Sequence, residues 1–429
     1  MFCQLEVLRH SFPSSVRRIL DELPESLDET YERILREIRK PKQAHAHRLL
    51  QCLVAAVRPL QVEELAEVLV FDFDTGGIPK FNLGWRWENQ EEAVMSACSS
   101  LVIIVKDMDS RIVQFSHFSV KEFLIANRLA EPVRDVSRYH IRLEAAHTIV
   151  AQACLGVLLR LDDRVNWDNI KDFPLAPYAA QYWPTHARFE NASSRIKEGM
   201  ECLFDGDKSH FATWLWLFNE DRSGRPMSSW CPEKPGAFPL YYAARLGFRS
   251  LAEHLISKHP EYVNARGGTE VTPMHVAAFE GHADILALLL DHGADINGQG
   301  VGTPLYRAAD SGKLEAGQCL LDRGADINAR SASAGQTPLF RAVFHEHVEF
   351  ARMLLKHGAS VSMPEENGET PLHWAVAKGN ILATQFLLEY GADVNARDDK
   401  GRTPSEFGSW FGMHEVVKLL SEYGAKSVK

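Results

Sequence analysis

The chain has 429 residues, 45% of them apolar and 24% charged, and its net charge of −10 is evenly shared: 29 Lys+Arg face 34 Asp+Glu before residue 236, and 18 face 23 from there on. Neither half carries the basic excess that nucleic acid or an anionic membrane demands, and no apolar run approaches the ~20 residues that span a bilayer. Met1 to His10 lack the apolar core of a signal peptide, and the seven cysteines (Cys3, Cys52, Cys98, Cys154, Cys202, Cys231 and Cys319) are scattered without a CxxC, as reduced thiols of a cytoplasmic or nuclear protein are.

Residues 1–40 form a helical lead-in. Leu20, Leu23, Leu27, Tyr31, Ile34, Leu35 and Ile38 keep helical spacing, and Ser26 with Glu29 fits a capping box. Residues 41–135 follow as a module of alternating signals. A helix over 44–57 stops at Arg58-Pro59-Leu60, and a second is predicted over 62–69. After the acidic loop 72–77 comes a short helix near 91–98. Strands at 101–105 and 111–115 flank the polar turn 106–110, and 120–129 is helical again. Helices followed by a two-strand wing make a winged-helix-like pattern. Such modules often read DNA, but Glu91-Glu92-Ala93-Val94-Met95 in the third helix holds no Arg or Lys. A helix facing phosphates is basic, so no direct nucleic-acid contact is expected. Residues 136–235 read as a helical linker domain.

From residue 236 to 429 the sequence repeats itself. Prolines stand at 239, 273, 304, 338, 371 and 404, all but the first preceded by Thr, with steps of 31 to 34. A second marker, Gly-Ala-Asp or Gly-Ala, keeps phase at Gly293, Gly324, Gly358, Gly391 and Gly424. Two markers in register over six copies at a period of about 33 identify six ankyrin repeats. Thr ahead of Pro suits a helix start. The Leu pairs at 288–289, 320–321, 354–355 and 387–388 supply the buried face of a second helix, and glycine follows where a left-handed residue is wanted. The fold class is therefore mainly α: a winged-helix-like and helical N-terminal region, then an ankyrin solenoid.

In ankyrin repeats the hairpin tips and the open positions of the first helix line the concave face. Counting from the markers places Tyr242, Phe279, Arg307, Asp310, Arg341, Phe344, Trp374, Lys378 and Trp410 there. Aromatics and arginines dominate binding hot spots, so these residues are the candidate contacts for one or more partner proteins. An aromatic at such a position serves either a partner or the seam between neighbouring copies.

Several stretches resemble the region that follows the nucleotide-binding domain in fungal NACHT-ankyrin proteins, which are STAND-type signalling NTPases. They are Leu23-Pro24-Glu25-Ser26-Leu27-Asp28-Glu29-Thr30-Tyr31, Arg58-Pro59-Leu60 with Glu63-Glu64-Leu65-Ala66, Phe115-Ser116-His117-Phe118-Ser119, Pro177-Tyr178-Ala179-Ala180 and Phe211-Ala212-Thr213-Trp214. The resemblance implies a winged helix and helical linker ahead of the repeats. It departs from the family in one respect. The chain holds no GxxxxGK[ST] and opens at Met1-Phe2-Cys3, already in the family's post-NACHT segment. His117 matches a histidine that reaches nucleotide phosphates in animal relatives; without a P-loop lysine it is expected to be structural here, and no cofactor is expected.

Other motifs carry little chemistry. Asp72-Phe73-Asp74 and Asp107-Met108-Asp109 are turn carboxylates, His345-Glu346-His347 is not HExxH, and no GxSxG appears. Asn191-Ala192-Ser193 fits a sequon, which needs a secretion route. The expected function is a non-catalytic adaptor, with no metal and no membrane. The alternatives are the regulatory part of a STAND NTPase acting in trans with a NACHT chain, and a transcriptional co-regulator acting through bound transcription factors.

Overall fold

At Ser26 the hydroxyl accepts a hydrogen bond from the Glu29 N–H at 3.2 Å, filling one of the donors that a helix start leaves open. The helix Leu27–Glu37 follows and buries Tyr31, Ile34 and Leu35, the stripe that the apolar spacing dictates. The structure, a computed structural model, describes residues 26–73, 77–107, 110–131, 135–162, 164–166, 168–189, 192–223, 238–267 and 271–425. The lead-in before Ser26, Asp74, Met108 and Asp109, the sequon asparagine Asn191, and Cys3 and Cys231 lie outside them. The chain divides into two compact units, Met1–Lys234 and Pro235–Lys429.

In the first unit, helices Gln43–Ala55, Val62–Val68 and Gln90–Cys98 precede the hairpin Val102–Asp107 and Ser110–Phe115. Pro59 has no N–H to continue a helix, and just past it Leu60–Gln61 pairs antiparallel with the second hairpin strand, Leu60 opposite Val113. The three-stranded sheet runs 60–61, 110–115, 102–107, giving a winged helix. The helix expected over 120–129 is instead Phe118–Ile125, followed by a 3-10 turn Asn127–Ala130. It ends where Ala126 turns extended, just before an asparagine, a type that prefers turns to helix interiors.

Helix Leu143–Leu158 lies at the centre of this unit and is apolar nearly all round, burying Val150, Ala151, Cys154, Leu155 and Leu158. It packs on Ala176–Ala187 and Gln43–Ala55. Trp183 and Trp214 meet at 6.0 Å, and the Trp214 indole N–H donates to the Ala180 carbonyl at 3.0 Å, so a large ring is buried with its polar atom satisfied. Cys52, Cys98 and Cys154 are free and buried. Burial pushes the Cys52 and Cys98 thiols up to about 12, which leaves them protonated and inert at neutral pH.

The second unit is built from six helix pairs. Their first helices are Pro239–Leu246, Pro273–Glu280, Pro304–Ser311, Pro338–Phe344, Pro371–Ala377 and Pro404–Trp410. The second helices are Arg249–Lys258, Ala283–Asp291, Leu314–Asp322, Val348–Lys356, Ile381–Glu389 and His414–Glu422. First helices stack on first helices and second on second, in two rows. Proline opens every first helix, where its missing N–H leaves no bond unmade. Threonine stands at the cap of all but the first, where Phe238 does: Thr303 accepts from the Tyr306 N–H at 3.3 Å and Thr337 from the Phe340 N–H at 3.2 Å. Ala277, Ala308, Ala342 and Ala375 have no exposed surface, and such small side chains let neighbouring helices approach closely. Leu289, Leu320, Leu354 and Leu387 are fully buried in the second row. Gly293, Gly324, Gly358, Gly391 and Gly424 end that row with φ between 80° and 89°, a region in which a Cβ is strained.

One tie between copies is not evident from the two markers. The Asn264 side chain accepts from the Asp295 N–H, Asn297 from that of Asp326, and Asn328 from that of Ser360, all at 2.8–2.9 Å. The loop after each pair is thereby fastened to the next copy.

Candidate protein interaction surface

The candidate contacts lie on the first-helix row, and they are joined into a chain of charges and rings. The Arg307 guanidinium lies 4.4 Å over the Phe279 ring of the preceding copy and bonds Asp310 at 3.1 Å. Asp310 also takes Arg341, at 2.5 Å, and faces His345 Nε2 at 3.1 Å. A single carboxylate is thus shared by groups from two successive copies. Burial, with Arg341 alongside, holds His345 below its ordinary value, so Asp310 is neutralised chiefly by the two arginines. Arg341 in turn lies 5.4 Å over Phe344. Phe344 meets Trp374 edge-on at 4.8 Å, and the Lys378 ammonium caps the Phe344 ring at 5.0 Å. Such cation–ring and ring–ring contacts each contribute about 0.5–1.5 kcal/mol.

The line continues through residues that spacing alone did not select. The Trp374 indole N–H donates to Glu369 at 2.7 Å. Glu369 also bonds Arg402, which is held by Asp398 at 2.6 Å and lies over Phe407 and Trp410. Glu369 and Arg402 both stand immediately before the Thr of a Thr-Pro pair, one period apart. Reading that position down the copies would have found them.

Exposure separates the candidates. Trp410 is 72% exposed and Lys378 is exposed, while Phe279, Arg307, Asp310, Arg341, Phe344 and Trp374 are half-buried. Tyr242 is corrected: at 8% exposure it belongs to the core, set edge-on against Tyr241 at 5.1 Å, and it presents almost nothing to a partner. Phe407, at the equivalent place in the last copy, is likewise buried. At these two positions the ring fills the stack.

The histidines of the repeats have internal work. In Thr272–His275 and Thr370–His373 the ring Nδ1 accepts from the threonine N–H, at 3.3 and 3.1 Å. The Nε2–H then donates to a carbonyl of the next hairpin, Gly302 or Arg402. Glu406 takes the same place in the last copy, accepting from the Thr403 N–H at 2.7 Å. His117 caps helix Phe118–Ile125 by accepting from the Ser119 N–H at 3.3 Å. The Ser119 hydroxyl lies 2.6 Å from the same ring nitrogen and 2.7 Å from the Tyr31 hydroxyl. Among the described residues no group of His, Cys, Asp and Glu is arranged to hold a metal ion, and no helix is long and apolar enough to cross a membrane.

Residues 210–429 match the family description "Ankyrin repeats (3 copies)" in four overlapping stretches, 210–300, 240–331, 299–365 and 360–429. The chain belongs to the ankyrin-repeat family. Residues 31–133 match "GPI inositol-deacylase, winged helix domain", in accord with the sheet and helix order of the first unit. Among curated proteins, the chain is similar to "Azaphilone pigments biosynthesis cluster protein L" of Monascus ruber, 33% identical over 294 residues, covering 65% of this chain and 61% of that protein. It is 37% identical over 129 residues to human "BCL-6 corepressor-like protein 1", 30% of this chain and 5% of that one. Mouse "Ankyrin repeat and SAM domain-containing protein 6" is 30% identical over 129 residues, again 30% of this chain and 11% of that one. The chain therefore spans under two thirds of these relatives. Winged helix followed by ankyrin repeats is the arrangement that the resemblance to fungal NACHT-ankyrin proteins implied, and a fungal relative covers 65% of the chain.

Proposed function

We propose that this chain is a non-catalytic adaptor, cytoplasmic or nuclear, whose ankyrin solenoid docks a partner protein on the concave, first-helix side. The observation that carries this reading is the continuous line of rings, cations and shared carboxylates from Phe279 through Arg307, Asp310, Arg341, Phe344, Trp374, Glu369 and Arg402 to Trp410, across five copies. A stack needs no such line for its own core, since alanines and leucines already fill it. Rigid aromatic and arginine side chains on an open face are what a partner uses as anchors. The test is affinity purification with mass spectrometry, comparing the intact chain with Phe344→Ala/Trp374→Ala, with melting followed in parallel. A partner lost selectively while folding persists supports the reading. Partners retained by the double variant would refute it.

The winged-helix match favours a second reading, that the chain is the regulatory part of a STAND NTPase and acts in trans with a NACHT chain. Co-purification with a nucleotide-loaded NACHT partner supports it, and a partner set without any NTPase counts against it.

A further inference from the structure

The charges along the first-helix row do not balance in the middle. At one end Arg245 faces Glu280 at 3.7 Å, and at the other Arg402 is held between Glu369 and Asp398. Between them Arg307 and Arg341 share the single carboxylate of Asp310, and Lys378 stands next along the row at the Phe344 ring. Among the described residues no carboxylate pairs with Lys378, whose ammonium has only the Phe344 ring, and the Arg307 Nε is buried without an acceptor. These four groups carry two more positive charges than negative, in a chain whose net charge is −10. They border the apolar edge made by Phe344 and Trp374.

We infer that the partner segment is acidic: a stretch of chain that brings two Asp or Glu side chains to Arg341 and Lys378, with an apolar side chain between them against Phe344 and Trp374. This rests on the concave-face reading above and adds the chemistry of its occupant. Charge complementarity selects it. Carboxylates offer the acceptors that the guanidinium forks and the ammonium lack. A basic segment would meet like charge at the same point, and a wholly apolar one would cover the cations without bonding them. The surplus also steers an acidic segment towards this spot against the negative charge of the rest of the chain.

The test is a selection of random peptides displayed on phage against the full-length chain. Enriched peptides are then measured by fluorescence anisotropy with the native chain, with Lys378→Glu and with Phe344→Ala/Trp374→Ala. Lys378 is exposed, so its reversal leaves the stack intact; Arg341→Glu serves as a second variant. The inference expects enriched peptides rich in Asp and Glu around an apolar residue, an affinity loss of about tenfold in Lys378→Glu, and weakening by added salt. Peptides that need Phe344 and Trp374 but show no acidic preference and ignore Lys378→Glu overturn the acidic occupant alone. Peptides indifferent to Phe344 and Trp374 overturn the concave docking reading with it.

Discussion

Glu346 is the one described non-glycine residue with positive φ, at 61°. It stands eight residues past the copy's helix-opening proline. The other five copies place Gly247, Gly281, Gly312, Gly379 and Gly412 there, with φ of 68° to 92°. A left-handed residue with a Cβ costs about 1–2 kcal/mol, of which glycine's extra unfolded-state freedom returns part. Glu346→Gly should therefore stabilise the chain by about 0.5–1 kcal/mol, measured by urea unfolding with an unchanged m-value. The capping histidines make a second prediction at this scale. Burial holds His275 and His373 below the ordinary histidine value, because the proton would have to enter at an Nδ1 already facing an N–H. The unfolded chain then binds protons more tightly than the folded one. Their contribution is complete above about pH 6.5 and is lost as pH falls towards the folded values. His275→Gln/His373→Gln should show a shallower fall in melting temperature between pH 6.5 and 5 than the native chain does. Identical slopes would refute the capping account.

Among the elements, periodicity made most of the solenoid legible. Thr-Pro, the alanines and the closing glycines each recur in five of the six copies, so each position was in effect read several times. What joins one copy to the next was not legible in the same way. Asp310 with Arg341, Glu369 with Arg402, and the asparagine ties are contacts across a full period, and they exist only once the helices are stacked. The burial of Tyr242 belongs to the same class. The strand Leu60–Gln61 escaped for a different reason: two residues are too few for an alternating pattern. Two predictions follow from the seams between copies. The asparagine tie is replaced in copy four by Ser362, whose hydroxyl reaches the Asp393 N–H at only 3.4 Å. Ser362→Asn should restore the bond and raise stability by about 0.5–1 kcal/mol, read from the denaturation midpoint. Gly317 sits mid-helix, where alanine would gain about 1 kcal/mol by propensity. A Cβ there, however, would lie 2.5 Å from the buried Phe350 ring of the next copy. Overpacking costs about 1–3 kcal/mol, so Gly317→Ala should be a net loss of about 1 kcal/mol in the same experiment.

At the scale of the whole molecule, a winged-helix unit and an ankyrin solenoid share one chain. In the function proposed above, a surface does the work, namely the first-helix row with its line of rings and cations, and the second-helix row is the control for it. The most direct measurement places a photo-crosslinking amino acid at Lys378 or Trp410 on the first-helix side, and at Lys356 on the exposed side of the second-helix row, in cells expressing the full-length chain. Discrete adducts of the same partner from positions 378 and 410, with none from 356, are the predicted result. Adducts from 356 with none from the other two would contradict the account.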